Sequence, residues 1–572
     1  MAASTCSICA GTLELRYRGS GAGPTPDSFV PTNHGLGQHG DLLRCRDCGT
    51  VHQPTLPGGS ELTDIYRHMQ DDDYLSEEEG RRATARRVLD DVRAHVRSGR
   101  LLDVGCGHGL LLAEARQLGF DTLGLELSAS AAAHARDRLG LDVREQTLAE
   151  LEADPSTGTF EVVVLADVLE HLDDPLGALD ACQRLLAPGG VLCIITPDPA
   201  SPTARAAGSR WWGYVPAHTF LFPHSTLLEL ISGRGLVVSS DRPLVRSFEL
   251  RYWLKGLAER GGPVGSVATL ASRMPGSRHK VSLSLRDERV VIAHKAEVRK
   301  PEQPLMSERD GDFKVHVVLP AYRAAATIPE VAESMPVGSA DRALLVDDFS
   351  PDDTTDVALA AGLEVLRHPA NRGYGANQKT CYVRAILDGA DAVVMVHADN
   401  QYDPALVADM VKPIEAGIAD VVIGSRLLED EAVAGGMPRW KWVGNRFLTA
   451  LENAAFRRGY SEYHTGYRAF STDFLRSVAF LRNADEFVFD QQIFAQIVAR
   501  RARVIELPIP TRYFLEASSV SFGASVKYGL DTLGVLLRYR LSERNRPWAL
   551  LRPPAARLEA DAATEQDLAA RR

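Results

Sequence analysis

The sequence predicts an α/β protein with two separate doubly wound sheets and a small N-terminal metal-binding ribbon. Strand-like apolar runs alternate with helix-like or turn segments from residue 100 to about 297, and again from 313 to about 545. Two Cys-x-x-Cys pairs precede both regions. The predicted division is a zinc ribbon at 1–60, a first α/β domain at 61–297, a linker at 298–312, a second α/β domain at 313–545 and a tail at 546–572.

Composition narrows the class of protein. The chain has 572 residues, of which 45% are apolar and 24% charged, and its formal net charge is −11. These fractions are ordinary for globular proteins, and an acidic chain is a poor general polyanion binder, so no nucleic-acid partner is expected. No apolar run approaches the roughly 18 residues of a membrane span, and the first twenty residues lack a signal-peptide core. We therefore expect a cytoplasmic protein whose cysteines are ligands or core residues.

Four cysteines form the ribbon site. Cys6-x-x-Cys9 and Cys45-x-x-Cys48 each place two thiols on one tight turn, and two such turns complete a tetrahedral zinc site. Four thiolates leave no open position, so the expected zinc is structural. A redox role is disfavoured because neither pair follows a strand of a βαβ unit. The remaining cysteines are predicted core residues: Cys106, Cys182, Cys193 and Cys381.

The first α/β domain opens with a strand and a glycine-rich turn. Leu101-Leu-Asp-Val-Gly-Cys-Gly-His-Gly109 lets the backbone approach a ligand closely, although dinucleotide sites share this pattern. Asp103 lies two positions before the first glycine, where its carboxylate can meet a cationic or hydroxyl-bearing ligand. Glu126 ends the next strand, where it can accept both hydroxyls of a ribose.

This domain resembles the class I S-adenosylmethionine-dependent methyltransferases, with their Rossmann-like sheet. The resemblance lies in LDVGCGHG, GLELS, FEVVVLADVLEHLDDP and LLAPGGVLCI, and the preceding ribbon also resembles one branch of that family. It implies S-adenosylmethionine as cofactor. The implied cofactor-binding residues are Asp103, Gly105, Gly107 and Gly109 in the turn, Glu126 for the ribose, Gln146 near the adenine and Asp167 facing the methyl-transfer region.

The sequence leaves open the roles of two histidines near the expected site of the methyl acceptor. His171 in VLEHL is either a base or a histidine that shapes the pocket. His218 lies in the aromatic stretch 211–224, which follows the fifth strand and forms either an acceptor lid or ordinary core. We select His218 as the catalytic candidate. A base is needed only if the acceptor is a hydroxyl or a carbon acid.

The second α/β domain also concentrates acids at strand ends. VHVVLPAY, ALLVDDFSPDDTTD and AVVMVHADNQYDP are strands that run into turns or acids, and NRGYGANQKT is a glycine-rich loop opening a helix. Carboxylates at the carboxyl ends of strands in an open α/β sheet indicate a ligand crevice. A divalent ion held there can neutralise a diphosphate leaving group.

These segments resemble an inverting family 2 glycosyltransferase with the GT-A fold, closest to the dolichol-phosphate mannose and polyprenyl-phosphate sugar synthases. The resemblance implies a nucleotide-sugar donor and a lipid-phosphate or natural-product acceptor. The implied donor-site residues are Pro320, Ala321, Tyr322, Asp347, Asp348, Lys379, Gly466 and Arg512. Asp399 and Gln401 are the implied metal-side residues, and Asp490 and Arg468 border the acceptor and join Asp399 among the catalytic candidates.

One position departs from the family's Asp-x-Asp, which reads His397-Ala-Asp399 here. A histidine nitrogen can coordinate an ion and suits manganese better than magnesium, or it is a strand-end histidine bonded to its neighbours. We expect Mg²⁺ or Mn²⁺ at this site. A phosphate acceptor needs no base, whereas for a hydroxyl acceptor Asp490 is the candidate.

The stretch 521–541 interleaves apolar residues with Lys and Arg at helical spacing. It either lies on a membrane surface beside a lipid acceptor or packs on its own domain. Overall the sequence predicts a bifunctional methyltransferase and glycosyltransferase at the cytoplasm or the inner face of the membrane. Two alternatives stay open: an active glycosyltransferase with an S-adenosylmethionine-binding regulatory half, and a non-catalytic nucleotide-sugar-binding scaffold.

Overall fold

The computed structural model describes ten stretches of the chain. They are residues 5–19, 29–30, 38–54, 59–71, 74–258, 262–274, 279–428, 439–510, 522–544 and 548–559. Contacts divide the chain into one unit of residues 1–231 and 236–295 and a second unit of 232–235 and 296–572. In the described part, no helix combines the length and the apolar character needed to cross a bilayer.

The first unit contains thirteen strands and ten α-helices in its described residues. The strands are β1 Leu13–Tyr17, β2 Leu42–Cys45, β3 Val51–His52, β4 Gly99–Val104, β5 Phe120–Leu125, β6 Asp142–Arg144, β7 Phe160–Ala166, β8 Leu186–Pro197, β9 Phe220–Leu221, β10 Leu236–Pro243, β11 Arg246–Glu249, β12 Lys280–Leu283 and β13 Glu288–Lys295. The helices are α1 Ser60–His68, α2 Glu78–Arg93, α3 Leu110–Gln117, α4 Ala129–Leu139, α5 Leu148–Glu152, α6 Pro175–Leu185, α7 Pro202–Ala207, α8 His224–Ser232, α9 Leu250–Ala258 and α10 Gly262–Ser272.

Seven of these strands form one sheet in the order β10-β13-β8-β7-β4-β5-β6. The neighbouring pairs from β8 to β6 are parallel, and β13 runs antiparallel between β8 and β10. Helices start where local chemistry favours them: Ser128 caps α4, and Asp174 followed by Pro175 starts α6. Because the parallel strands end at the same edge, the turns after β4, β5 and β7 meet there.

The ribbon shares its sheet with the first α/β domain. Its strands lie in the order β1-β2-β3-β9, so Phe220–Leu221 pairs with Val51–His52. The expected lid segment 211–224 therefore supplies the last strand of the ribbon sheet. The predicted cysteines of the core are confirmed: Cys106, Cys182, Cys193 and Cys381 are all buried.

The second unit contains eight strands and eight helices in its described residues. The strands are β14 Val298–Arg299, β15 Val315–Ala321, β16 Arg342–Asp347, β17 Glu364–Arg367, β18 Ala392–Met395, β19 Val421–Ser425, β20 Arg468–Ser471 and β21 Val504–Pro508. The helices are α11 Ile328–Glu333, α12 Thr354–Ala360, α13 Tyr374–Leu387, α14 Val407–Glu415, α15 Arg439–Phe456, α16 Thr472–Ser477, α17 Phe489–Arg500 and α18 Phe522–Glu543.

Its eight strands form a single sheet in the order β14-β17-β16-β15-β18-β20-β19-β21. Strands β17, β16, β15 and β18 are parallel, so β15, β16 and β18 end at one edge. Two segments differ from expectation. The predicted linker pairs through Val298–Arg299 with β17 and buries Met306, and the predicted tail buries Leu558 in the core. Apolar side chains in both segments have packing partners, which a charge-rich composition does not reveal.

Candidate active sites

The four ribbon cysteines converge. Cys6 and Cys48 sulfurs are 3.7 Å apart, Cys9 and Cys45 sulfurs are 3.4 Å apart, and all four lie within 4.8 Å of one another. Mutual hydrogen bonding lowers the pKa of the Cys6 thiol below its usual range. Four convergent soft donors fit a tetrahedral zinc ion, with His52 3.2 Å from the Cys6 sulfur as a neighbour.

The glycine turn after β4 forms a cradle at the carboxyl edge of the first sheet. Gly105, Gly107 and Gly109 have φ of 67°, 54° and 77°, which L side chains rarely adopt. Glu126, after β5, accepts the Gly107 N–H at 2.8 Å and the Ser128 N–H at 2.7 Å. The turn therefore holds this carboxylate in place at the mouth of the cradle.

Asp103 is buried beside this carboxylate. Burial, with Glu126 nearby, raises the pKa of Asp103 to about 8. Burial also raises the pKa of Glu126. Two buried carboxyls so close to each other favour a ligand that carries positive charge and hydroxyl donors. Gln146 is half-buried two residues beyond β6, on the far side of β5 from Asp103.

Tyr74 is a cradle residue that sequence reasoning missed. Its ring stacks on His108 at 4.6 Å, the Arg81 guanidinium lies 3.9 Å from its centroid, and a Cβ on Gly107 would lie 3.7 Å from its hydroxyl. Tyr74 precedes α2 in a charge-rich stretch, so no local pattern connects it with the turn. An aromatic residue at the start of the polar helix was the available signal.

Asp167 directly follows β7 and is held by an ion pair. The Arg246 Nη2 group lies 2.9 and 2.7 Å from its two carboxylate oxygens, and Arg246 also binds Glu288. Asp167 has a φ of 56°, a backbone conformation that is strained for aspartate. This carboxylate is therefore partly neutralised where the strand enters the methyl-transfer region implied by the resemblance.

His218 lies beside His171 in a buried position. The two rings meet edge to face with centroids 4.8 Å apart. His218 Nδ1 lies 2.7 Å from the Gly213 carbonyl oxygen, so Nδ1 carries the proton and the lone pair is on Nε2. Burial lowers the pKa of His218 to about 4. Its ring is neutral at neutral pH.

In the second unit, Asp347 and Asp348 accept hydrogen bonds from loop residues at the carboxyl end of β16. Asp347 is fully buried and accepts from the Ser350 N–H at 2.9 Å and the Thr355 hydroxyl at 2.7 Å. Asp348 accepts the N–H groups of Arg372 and Gly373, both at 2.8 Å. Asp348 thereby ties the glycine-rich loop that opens α13 to the end of β16.

A cavity of about 510 Å³ opens beside these residues. Tyr322 and Phe349 are among its lining residues and are about half exposed, and Arg323 and Arg367 add positive charge. Pro320 and Ala321 end β15 behind Tyr322. Asp352, Asp353 and Asp356 also line the cavity, so its charges are mixed. The aromatic faces suit the base of a nucleotide, and the two cations suit its phosphates.

His397 and Asp399 follow β18. His397 Nε2 is 3.2 Å from the Tyr374 hydroxyl, and Asp399 accepts the Gln401 N–H at 3.2 Å. Burial lowers the pKa of His397. Among the described residues, the clusters of three or more potential metal-binding side chains lie elsewhere. An ion here would take its remaining ligands from a bound diphosphate and water, a donor set common for Mg²⁺.

Asp490 and Arg468 form an ion pair in which Arg468 is buried and Asp490 is partly buried. Arg468 is 0% exposed and donates to Asp490 at 2.9 Å; Gln378 donates to the same oxygen at 3.0 Å. The Tyr374 hydroxyl donates to Asp490 at 3.3 Å. Arg468 was expected to border the acceptor as a catalytic candidate; it is instead fully buried, as the partner that holds Asp490.

Two further expected residues have different outcomes. Lys379 is half-buried and donates to the Asn483 carbonyl and, at 2.7 Å, to Asp485, so its ammonium joins α13 to that loop rather than lining the cavity. Burial lowers its pKa. Arg512 lies outside the described residues.

Comparison with known proteins adds family information. A family model described as a methyltransferase domain matches residues 77–240, and one described as glycosyl transferase family 2 matches residues 316–478. A ubiquinone biosynthesis O-methyltransferase of Cereibacter sphaeroides is 38% identical over 174 residues, which are 28% of this chain and 68% of that protein. For its counterpart in Xanthomonas oryzae pv. oryzae, identity is 37% over 126 residues, 21% of this chain and 52% of that protein.

Two further comparisons have lower sequence identity. An uncharacterized protein of Methanocaldococcus jannaschii is 27% identical over 248 residues, covering 43% of this chain and 99% of that protein. The solved structure of glucosyl-3-phosphoglycerate synthase from Mycobacterium tuberculosis with uridine diphosphate aligns with 41% of this chain and 87% of its own, at 19% identity and a TM-score of 0.33.

Proposed function

We propose that this chain, which belongs to the S-adenosylmethionine-dependent methyltransferases and contains a family 2 glycosyltransferase domain, is a bifunctional transferase. One unit moves a methyl group and the other moves a sugar from a nucleotide-sugar with inversion. One observation carries the proposal. In each sheet a carboxylate at a strand end accepts N–H groups of a glycine turn, Glu126 from Gly107 and Asp348 from Gly373.

In the methyltransferase unit, the cradle residues divide the cofactor between them. Glu126 retains lone pairs for the two ribose hydroxyls, and Asp103 offers negative charge to the methionine end. Gln146 is assigned to the adenine. When bound, S-adenosylmethionine supplies an electrophilic methyl group. The chain's residues hold it in line with the acceptor and exclude water.

The methyl acceptor in this proposal is a hydroxyl, activated on the His218 side. Asp167 is engaged by Arg246, whereas His218 presents a lone pair on Nε2. With a pKa near 4, His218 does not take up a proton in the resting state. It accepts the hydroxyl proton as the methyl group is transferred.

In the glycosyltransferase unit, the cavity between Tyr322 and Phe349 receives the nucleotide. Asp399 is the carboxylate assigned to a divalent ion, with Gln401 beside it and His397 as a further ligand once its nitrogen leaves the Tyr374 hydroxyl. A bound Mg²⁺ or Mn²⁺ neutralises charge on the departing diphosphate. Asp490, held by Arg468, borders the acceptor.

We extend the proposal to a polyprenyl-phosphate acceptor delivered from a membrane surface. On α18 the exposed residues Val526, Leu530 and Leu537 recur at helical spacing, at 48%, 64% and 62% exposure. Helix α15 packs against α18 and exposes Val443 and Phe447. An apolar stripe of this kind suits contact with the acyl chains of a membrane surface or with a prenyl chain. A natural-product acceptor would not need it.

The experiment uses the full chain with nucleotide-sugars and Mn²⁺, and follows nucleotide release with and without a short polyprenyl phosphate. Transfer to the lipid supports the extended proposal, and transfer only to a water-soluble acceptor favours a natural product. Nucleotide-sugar binding without turnover favours the scaffold. Sugar transfer without methyl transfer to any acceptor, despite cofactor binding, favours a regulatory first half.

A further inference from the structure

Three metal-binding side chains converge beyond β7. Glu170 and His171 lie in the turn that follows Asp167, and His218 reaches them from the segment before β9. One ligand atom from each lies within 4.8 Å of the other two. This is one of two such clusters in the described part of the chain, and the other is the cysteine quartet.

Each residue of the cluster is oriented by a neighbour. The Thr196 hydroxyl donates to Glu170 Oε2 at 3.0 Å, Tyr66 Oη lies 2.9 Å from His171 Nδ1, and the Gly213 carbonyl fixes His218 Nδ1 at 2.7 Å. Such outer contacts set the tautomer and the ring orientation of metal-binding histidines. Because Nδ1 of His218 is engaged by the Gly213 carbonyl, Nε2 is its remaining ligand atom.

Glu170 has an unsatisfied oxygen. The residue is 0% exposed, and among the described residues its Oε1 has no hydrogen-bond partner. Leaving a buried carboxylate oxygen unpaired is costly, and a cation beside two neutral imidazoles removes that cost.

We propose that Glu170, His171 and His218 bind one divalent transition-metal ion whose open coordination position receives the hydroxyl oxygen of the methyl acceptor. Two nitrogens and one carboxylate suit zinc, cobalt, iron(II) or manganese, and magnesium favours all-oxygen sites. Three protein ligands leave a position for substrate, unlike the closed ribbon site.

With the ion bound, Nε2 of His218 is a metal ligand rather than a base, and the ion activates the acceptor hydroxyl in its place. A metal-bound hydroxyl loses its proton near neutral pH, as metal-bound water does. The proton goes to water, the acceptor oxygen forms a bond to the methyl carbon as the sulfur–carbon bond breaks, and S-adenosylhomocysteine leaves. This step rests on the proposed methyl transfer; ion binding does not.

Titration of the metal-free full chain with Co²⁺ distinguishes the two clusters. Cobalt in the ribbon gives thiolate-to-metal charge-transfer absorbance, and cobalt at the proposed site gives only weak visible bands. We expect two ions per wild-type chain. Glu170→Gln and His218→Gln should each lose the second ion and keep the thiolate bands, and His68→Gln, an exposed histidine of α1, should keep both.

Tyr66→Phe removes only the orienting contact of His171 and should weaken the second site by about 10–100-fold. A wild-type chain that binds only the ribbon ion overturns the proposal, as does retention of the second ion by Glu170→Gln and His218→Gln. If either variant is misfolded by circular dichroism, the wild-type count and Tyr66→Phe decide. Two ions without methyl transfer to any hydroxyl would refute the proposed function and leave the site standing.

Discussion

Gly466 and His397 are in such close contact that a Cβ added to Gly466 would lie 2.1 Å from the His397 Nε2. The same nitrogen is 3.2 Å from the Tyr374 hydroxyl, which in turn donates to Asp490. Glycine at 466 therefore lets the strand-end histidine lie back toward Asp490. The contact places residues 397 and 466 side by side although they lie in separate segments of the sequence.

Gly466→Ala should displace the ring of His397. Because the added methyl overlaps a side chain in a packed site, we expect a loss of about 1–3 kcal/mol in the free energy of unfolding, together with reduced nucleotide-sugar turnover. The double variant with His397→Ala should recover the stability. Denaturant unfolding of both variants is the measurement, and an unchanged Gly466→Ala would contradict the contact.

Cys45→Ser should release the ribbon metal. Since Val51–His52 pairs with Phe220–Leu221, the loss should spread beyond the ribbon, and amide exchange at 220–221 should accelerate. Elemental analysis and hydrogen exchange test both parts. Cys182→Ala, a buried cysteine outside the quartet, should retain the metal. Zinc-free wild-type protein with normal exchange would refute the structural role.

Asp103 should make cofactor affinity pH-dependent. Its pKa is raised from 3.8 to about 8, so the free protein holds a proton there at neutral pH. A sulfonium ligand favours the carboxylate, so binding should release a proton, and affinity should rise with pH up to about 8 and then level.

The stability of the free protein should change in the opposite direction. Because the folded state holds the proton more tightly than the unfolded state, the contribution of Asp103 falls as pH rises from about 4 to about 8. Asp103→Asn should flatten both dependences. Calorimetry in two buffers of different ionisation enthalpy counts the released proton. A pH-independent affinity for wild type between about pH 6 and 8 would be incompatible with this assignment.

His397→Asp should restore an Asp-x-Asp pattern and shift the metal preference of sugar transfer from manganese toward magnesium, because a hard oxygen replaces a nitrogen. Turnover titrated with each ion measures the ratio. His368→Gln is a matched control, since His368 is also a buried histidine. Its Nδ1 lies 2.8 Å from an oxygen of Asp348, and it is not assigned to the ion. An unchanged ratio would mean that position 397 does not contact the metal.

Local patterns predicted the strands and turns, and the non-local contacts explain what was missed. The strands around Asp103 and Asp347 were predictable because apolar runs end in glycine or acid. Tyr74 and Arg246 were not, because each reaches its site from a segment distant in sequence. The sequence suggested Arg468 as a catalytic cation, because its burial and its ion pair with Asp490 appear only in the folded structure.

The central claim is that one chain carries two separate transferase sites, and a reciprocal pair of variants tests it most directly. Glu126→Ala should weaken S-adenosylmethionine binding by about 1.5–3 kcal/mol, and Glu145→Ala, a neighbouring exposed acid, should not. Asp399→Asn should lower sugar transfer by about 10²–10³ through the lost charge on the ion.

Each variant should leave the other function intact, because the chain divides into two compact units. The deciding measurement determines cofactor affinity and nucleotide-sugar turnover on the same preparation of each variant. The account predicts that Glu126→Ala changes only the affinity and Asp399→Asn only the turnover. Undiminished turnover in Asp399→Asn, or a large loss of cofactor affinity in that variant, would contradict it.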